Sequence, residues 1–317
     1  MSTGVIVVGD GKSLELRLFS SAGKVIGASG RRGGGPGEFQ RIEQIQRCAG
    51  DSLFVFDPAL FRMSVFSPSG EYVRAAGVRE WLSNGMKPYD FWCNPAGTIA
   101  FVNRTPELSR LLGKEGPLRP PVEILLVGRN DSVISLGRFP GSEMYFRAPA
   151  AGPRHLGMKT TIAVGSNSVY VGTGDTFEVT EFSLRGARLR TLGDSRALKE
   201  VTAAQVTSYI DEFIAGQGGT ANASGLRQYF RELEWPKVYP AYRRLVIDWS
   251  DNLWIEEYPV PGRGIHDWTI YGKSGALIAT ITLPAGLRLL EAGRDYVLGV
   301  SKDTDDVEYV RMYGIVR

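Results

Sequence analysis

One short pattern constrains this chain more than any other: an aromatic residue, three further residues, then glycine. Phe19-Ser-Ser-Ala-Gly23 is followed by Phe66-Ser-Pro-Ser-Gly70, Phe182-Ser-Leu-Arg-Gly186 and Tyr271-Gly-Lys-Ser-Gly275. Val127-Gly-Arg-Asn-Asp131 is a degenerate copy with Asp at the turn, and Tyr313 stands where a sixth would begin. A glycine recurring at one offset marks hairpins, because a short turn needs a positive φ that glycine takes without strain. Each copy sits in similar surroundings. A β-rich run comes first (VIVVGD, LFVFDP, SVYVGT, NLWIEE). A second ends at the aromatic (ELRLF, RMSVF, EVTEF, WTIY), and a third follows the glycine (KVIGASG, EYVRAAG, ARLRTLG, ALIATITLP). A further strand such as QIQRCA or RRLVID precedes the unit.

Four strands per unit, with turn residues 47, 61, 55 and 89 residues apart, predict an all-β chain. The expected fold is a six-bladed β-propeller of four-stranded antiparallel blades, forming a single domain over 1–317. A β-sandwich would not need the turn to recur at the same place in each strand set. The terminal blades read as incomplete. The first has strands at 5–9, 14–20 and 24–29 but no innermost one; the last has 287–291, 295–300 and 307–313 but no outermost one. The expectation is that Met1 is not the natural start and that upstream residues supply the missing strands. The lack of a signal peptide in this chain then says nothing about export.

The segment FDPALFRMSVFSPSGEYVRAAG, with Asp57, Arg62 and Phe66, resembles the NHL-type propeller repeat. GPGEF followed by CAGDSLFVFD, and later YPAYRRLVIDWSDNLWIEEYP with WTIYGKSGALIATITLP, resemble the six-bladed propellers of the bacterial NHL-repeat/TolB-like group. The likeness covers nearly the whole chain and is weakest over 88–140. It implies the fold and an extracytoplasmic place, in the periplasm or cell envelope. Its motifs are structural and say little about activity. In one departure, Glu15 stands where the second unit has Arg62, so a cross-strand Asp–Arg pair is open only to Asp57 and Arg62.

Residues 194–236 break the β pattern between the expected fourth and fifth blades. VTAAQVTSYIDEFIAG puts Val201, Tyr209, Ile210, Phe213 and Ile214 roughly on one helical stripe, and LRQYFRELEW does the same for Leu226, Tyr229, Phe230 and Leu233. A two-helix insertion over about 197–234 is predicted. It reads either as packing on the rim or as a lid or partner-binding element.

Chemical motifs are few. GRRGGGPGEFQ (30–40) pairs glycines with arginines but fails as a phosphate loop: Glu38 follows Gly37 where a lysine is required, and no helix follows. The loop is instead expected to link the first two blades, with Phe39 packed between them and Glu38 capping backbone donors or pairing with arginine. His155 and His266 are the two histidines and are read as loop or interface residues; no GxSxG elbow is present. The carboxylates of WIEEY and DTDDVEY (Asp303, Asp305, Asp306) read as solvated acidic turns and match no EF-hand. Arg31, Arg32, Arg62, Arg243 and Arg244 read as scattered surface charge. Cys48 and Cys93 form no CxxC pair; two unpaired thiols are expected, with a disulfide as the alternative.

Net charge is +3, too small to argue for nucleic acid, and no run of apolar residues is long enough for a membrane helix. The expected function is a non-enzymatic, monomeric binding propeller that recognises a protein, peptide or glycan on its pore face, with no cofactor or metal. Its candidate contacts are Arg31, Arg32, Glu38, Arg62, Tyr209, Phe213, Tyr229 and Phe230. The alternative is a metal-dependent, lactonase-like hydrolase or lyase with carboxylate, Asn or His ligands converging in the channel. RNA binding, a third class, would require the arginines to gather on one face.

Overall fold

The computed structural model describes residues 1, 3–78, 88–94, 97–104, 110–111, 113–128, 132–147, 150–216, 223–303, 305 and 307–315. Its strands form successive antiparallel meanders. The first sheet holds β1 (Ile6–Asp10), β2 (Glu15–Phe19) and β3 (Val25–Ser29). The second holds β4 (Gln44–Arg47), β5 (Leu53–Asp57), β6 (Arg62–Phe66) and β7 (Tyr72–Gly77). In the third, β8 (Pro88–Cys93) and β9 (Ile99–Arg104) come before an excursion, β10 (Gly116–Leu118), and β11 (Pro121–Val127) and β12 (Val133–Pro140) complete the sheet. β10 pairs instead with β13 (Met144–Arg147), which pairs with β14 (Ala150–Pro153), in a small accessory sheet that the sequence did not suggest. The fourth sheet is β15 (Thr161–Val164), β16 (Ser168–Gly172), β17 (Glu178–Ser183) and β18 (Arg188–Gly193). The helices α1 (Ala203–Gly216) and α2 (Ala223–Arg231) follow. The fifth sheet is β19 (Tyr242–Ile247), β20 (Leu253–Glu257), β21 (Ile265–Tyr271) and β22 (Leu277–Pro284). The last is β23 (Arg288–Ala292), β24 (Tyr296–Lys302) and β25 (Glu308–Gly314). The first and last sheets are three-stranded, and β25 is exposed along its whole length.

The aromatic-x3-Gly motif closes the same turn four times. The residue after the aromatic donates its N–H across the hairpin: Ser20 to Lys24, Ser67 to Glu71, Ser183 to Ala187 and Gly272 to Ala276. Gly23, Gly70, Gly186 and Gly275 all sit at φ between 79° and 87°. The strand register slips by one residue at Phe19, Phe66, Phe182 and Tyr271. This is a turn with a glycine bulge, which bends the outer strand and strengthens its twist. The degenerate copy closes likewise, Gly128 N–H donating to Ser132.

Each consecutive pair of sheets shares its own core. Leu14, Leu16, Phe39, Leu53, Val55 and Phe66 join the first to the second. Phe56, Met63, Phe91, Phe101 and Leu125 join the second to the third, and Ala100, Ile124, Leu126, Ile162 and Val169 the third to the fourth. Phe177, Tyr242, Leu245 and Ile255 join the fourth to the fifth, and Trp254, Trp268, Leu289 and Val297 the fifth to the last. Burying one such side chain stabilises by about 1.5–3 kcal/mol. The first strands β4, β8, β15, β19 and β23 lie beside one another in that order.

The cysteines are not free thiols. Cys48, just after β4, and Cys93, at the end of β8, form a disulfide with Cα atoms 5.3 Å apart. The two first strands are neighbours, and that brings residues 45 apart in sequence together.

Candidate functional site

The GRRGGGPGEFQ link is knitted to itself. Glu38 accepts from Arg31 Nε and from Gly35 N–H, each at 2.8 Å, and these bonds hold its carboxyl below the usual carboxylate range. Arg62 and Asp57 face each other in register but do not pair. Arg62 donates to the carbonyls of Gly34 and Glu38, while Asp57 accepts from the N–H groups of Gln40, Arg41, Ala59 and Leu60. Phe39 is fully buried in the core between the first two sheets. Glu38 and Arg62 thus fix the shape of the link. Arg31 stays 78% exposed and Arg32 is exposed beside it.

The helices form a cap with the accessory sheet. The stem of the insertion is closed by Val201 N–H to Lys237 and Tyr239 N–H to Lys199, so the excursion runs to 239 rather than 236. Its centre is His155, from the loop after β14. Its ring lies 5.0 Å from Phe230, 5.4 Å from Phe213 and 5.6 Å from Tyr209, and its Nδ1 is 2.7 Å from the Tyr209 hydroxyl. Burial lowers the His155 pKa. Arg147 pairs with Glu232 at 2.7 Å and Arg154 reaches Glu234, tying the same sheet to the end of α2. Phe213 and Phe230 are therefore committed inside the cap, and Phe230 is fully buried. Tyr229 is 43% exposed.

Beneath the cap lies a cleft of about 270 Å³, lined by Tyr209 and Glu212 of α1, the 258–265 loop, Arg243 and His266. α1 is clamped to that loop: Glu212 accepts from Gly262 N–H at 2.7 Å. Gly262 has φ +82°, a conformation that favours glycine, so the chain can turn under the helix there. The floor of the cleft is a charged cluster the sequence did not reveal. A β-bulge falls at Arg243, between Tyr242 and Arg244 in the pairing of β19 with β20. Two adjacent strand residues should point to opposite faces. The bulge cancels that, and both guanidinium groups reach Glu256. Arg243 donates from Nη2 at 2.5 Å and Nε at 3.1 Å, and Arg244 from Nε at 3.2 Å. His266 Nδ1 lies 3.0 Å from the same carboxylate. Glu256 is fully buried. Burial pushes its pKa up, but the bonds from His266 and Arg243 and the charge of Arg244 outweigh this and hold it at about 2.

So Arg243 and Arg244 are not scattered surface charge, Glu256 is no solvated turn, and His266 is part of a buried polar network. Of the candidate residues, Tyr209 reaches the cleft; Arg31, Arg32 and Glu38 belong to the separate 30–40 link, and Arg62, at the start of β6, donates to it. Asp306 lies outside the described residues. Among the described residues no group of three or more His, Cys, Asp or Glu is placed to hold a metal, and no helix is long and apolar enough to cross a membrane.

No family model matches the chain, and no curated protein matches it in sequence. Solved structures do resemble it. BF0058 of Bacteroides fragilis, an inferred exported protein, has TM-score 0.51 at 10% identity over 94% of this chain and 77% of its own. A DUF4221 family member from Bacteroides vulgatus has TM-score 0.51 at 9% identity over 98% and 90%. The β-propeller domain of Cps50 (Swd1) from Myceliophteria thermophila aligns at 9% identity over 99% and 84%, with TM-score 0.45. At such identities likeness speaks to fold alone. The chain is an all-β protein of antiparallel sheets.

Proposed function

We propose that this chain is a six-bladed β-propeller of the NHL/TolB-like kind that works as a monomeric, extracytoplasmic binding protein. The single observation behind a binding role is the cleft. It is small, walled by tyrosines, prolines and glycines, and held rigid on both sides, by α1 clamped to the 258–265 loop and by Glu256 under Arg243. Rigid polar groups on an apolar wall are what small-ligand and terminal-residue recognition requires. Tyr229 on α2, and Arg31 and Arg32 on the separate 30–40 link, are exposed and are proposed as further contacts for a larger peptide or glycan. Glu38, Arg62, Phe213 and Phe230 keep that surface in shape. The Cys48–Cys93 disulfide supports an oxidising compartment, where such bonds persist.

The test is a binding panel of short peptides and oligosaccharides followed by amide chemical shifts. The expected result is saturable shifts clustered at Tyr209, Gly262 and Gly264. Turnover of ester, lactone or elimination substrates that requires a divalent cation, without cleft shifts, would instead establish the hydrolase or lyase reading.

A further inference from the structure

The walls of the cleft carry opposite charges that do not meet. Arg243 stands on one side, 40% exposed. Its Nε and Nη2 are spent on Glu256, and among the described residues Nη1 has no partner. Glu212 stands on the helix side, exposed, with Oε1 taken by Gly262 N–H. Its other oxygen has no partner among the described residues, and no ion pair joins Glu212 to Arg243. Arg243 and Arg244 share the single carboxylate of Glu256, so that side of the cleft of about 270 Å³ keeps a net positive charge, and Glu212 faces the same cleft without pairing with it. The remaining lining is largely apolar or aromatic: Leu156, Tyr209, Tyr258, Val260 and Ile265.

We infer that the cleft binds a free α-amino acid with an apolar side chain, its carboxylate on Arg243 Nη1 and its ammonium on Glu212. The inference deepens the binding role proposed above and rests on it. Three features select this ligand. The volume falls below the roughly 300 Å³ at which drug-sized pockets begin, so the occupant is small. The buried Glu256 holds Arg243 in a fixed fork, so the ligand carboxylate meets a preorganised donor. Glu212 is fixed by its own backbone contact and supplies the ammonium site. A simple anion would leave Glu212 unanswered, and a simple cation would leave the excess charge of the two arginines on Glu256 so.

The experiment titrates the full chain with L-leucine, N-acetyl-L-leucine, which lacks the ammonium, and L-leucinamide, which lacks the carboxylate. Calorimetry gives affinity, and the Gly262 and Gly264 amide shifts report the location. Leucine is expected to bind more tightly than either analogue by about tenfold or more, the weight of one charge-assisted hydrogen bond. Glu212→Gln should bring leucine down to the level of the acetylated form and leave the leucinamide gap in place. Arg243→Gln should do the reverse. If circular dichroism shows that Arg243→Gln does not fold, Arg243→Lys keeps a cation for Glu256 and should still narrow the leucinamide gap. Equal affinity for all three ligands, or gaps unchanged in the variants, overturns the assignment. If leucine fails to shift the cleft amides while another panel member shifts them, the amino-acid assignment falls and the binding role stands. If nothing shifts them, both fall.

Discussion

Replacing Glu256 with glutamine tests the charged floor of the cleft directly. The side chain keeps its shape but loses the charge that Arg243, Arg244 and His266 share. The magnitude follows from linkage. An ordinary carboxyl of this type titrates near 4.5, and Glu256 is held at about 2. A difference of about 2.5 units at 1.36 kcal/mol each is about 3 kcal/mol of native stability. Breaking a buried ion pair by removing one partner costs about 3–5 kcal/mol, which agrees. The sign is that of a depressed acid. The contribution is fully present above the unfolded value, near pH 4.5, and is lost as pH falls through about 2. Urea unfolding of wild type and Glu256→Gln, followed by tryptophan fluorescence from neutral pH down to about pH 2, reads it out. The two stabilities should differ by about 3 kcal/mol at neutral pH and converge between pH 4.5 and about 2. A gap that stays constant into strong acid, or one below about 1 kcal/mol at neutral pH, would refute the argument.

The Cys48→Ala, Cys93→Ala double variant should lose about 2–4 kcal/mol in the same assay, and dithiothreitol should lower the melting temperature of wild type but not of the variant. Gly70→Ala should cost about 1–2 kcal/mol, because φ is +87° there and the new methyl would meet Leu18 at 3.1 Å; a neutral result would show that the turn can relax. His155, its pKa lowered by burial, favours the folded state when neutral. That contribution is present above its ordinary value, near pH 6.5, and is lost as pH falls through the folded one, so the protection factors of α1 amides, corrected for the intrinsic pH dependence of exchange, should fall with acidification in wild type but not in His155→Phe. A His155 pKa at or above its ordinary value by NMR would contradict it.

The turns were legible because they are local. Phe19 to Gly23 needs only its own five residues to adopt its geometry, so the repeat announces itself. Strand bounds followed within a residue or two: 5–9 against Ile6–Asp10, and 287–291 against Arg288–Ala292. Phe39 as a plug between two sheets was also readable, since a lone aromatic after a glycine run has few other uses. The accessory strands were not. Gly116–Leu118 and Ala150–Pro153 lack β-branched alternation, and a long-range partner makes them strands. The charged cluster was hidden for a similar reason. Nothing in RRLVID shows that a bulge will turn two adjacent arginines to one face, nor in WIEEY that one glutamate of the pair is buried. The disulfide overturned the expectation of two unpaired thiols, because only the packing of β4 beside β8 brings Cys48 and Cys93 together.

Among the described residues each hydrophobic core is shared by two consecutive sheets, and the excursion from 199 to 239 adds no side chain to any of them. Such a connection can lengthen without retuning the interior, as the segment from 199 to 239 does here. Relatives with different partners would be expected to differ most at these connections and least at the bulged turns, so new specificity would come from grafting rather than redesign.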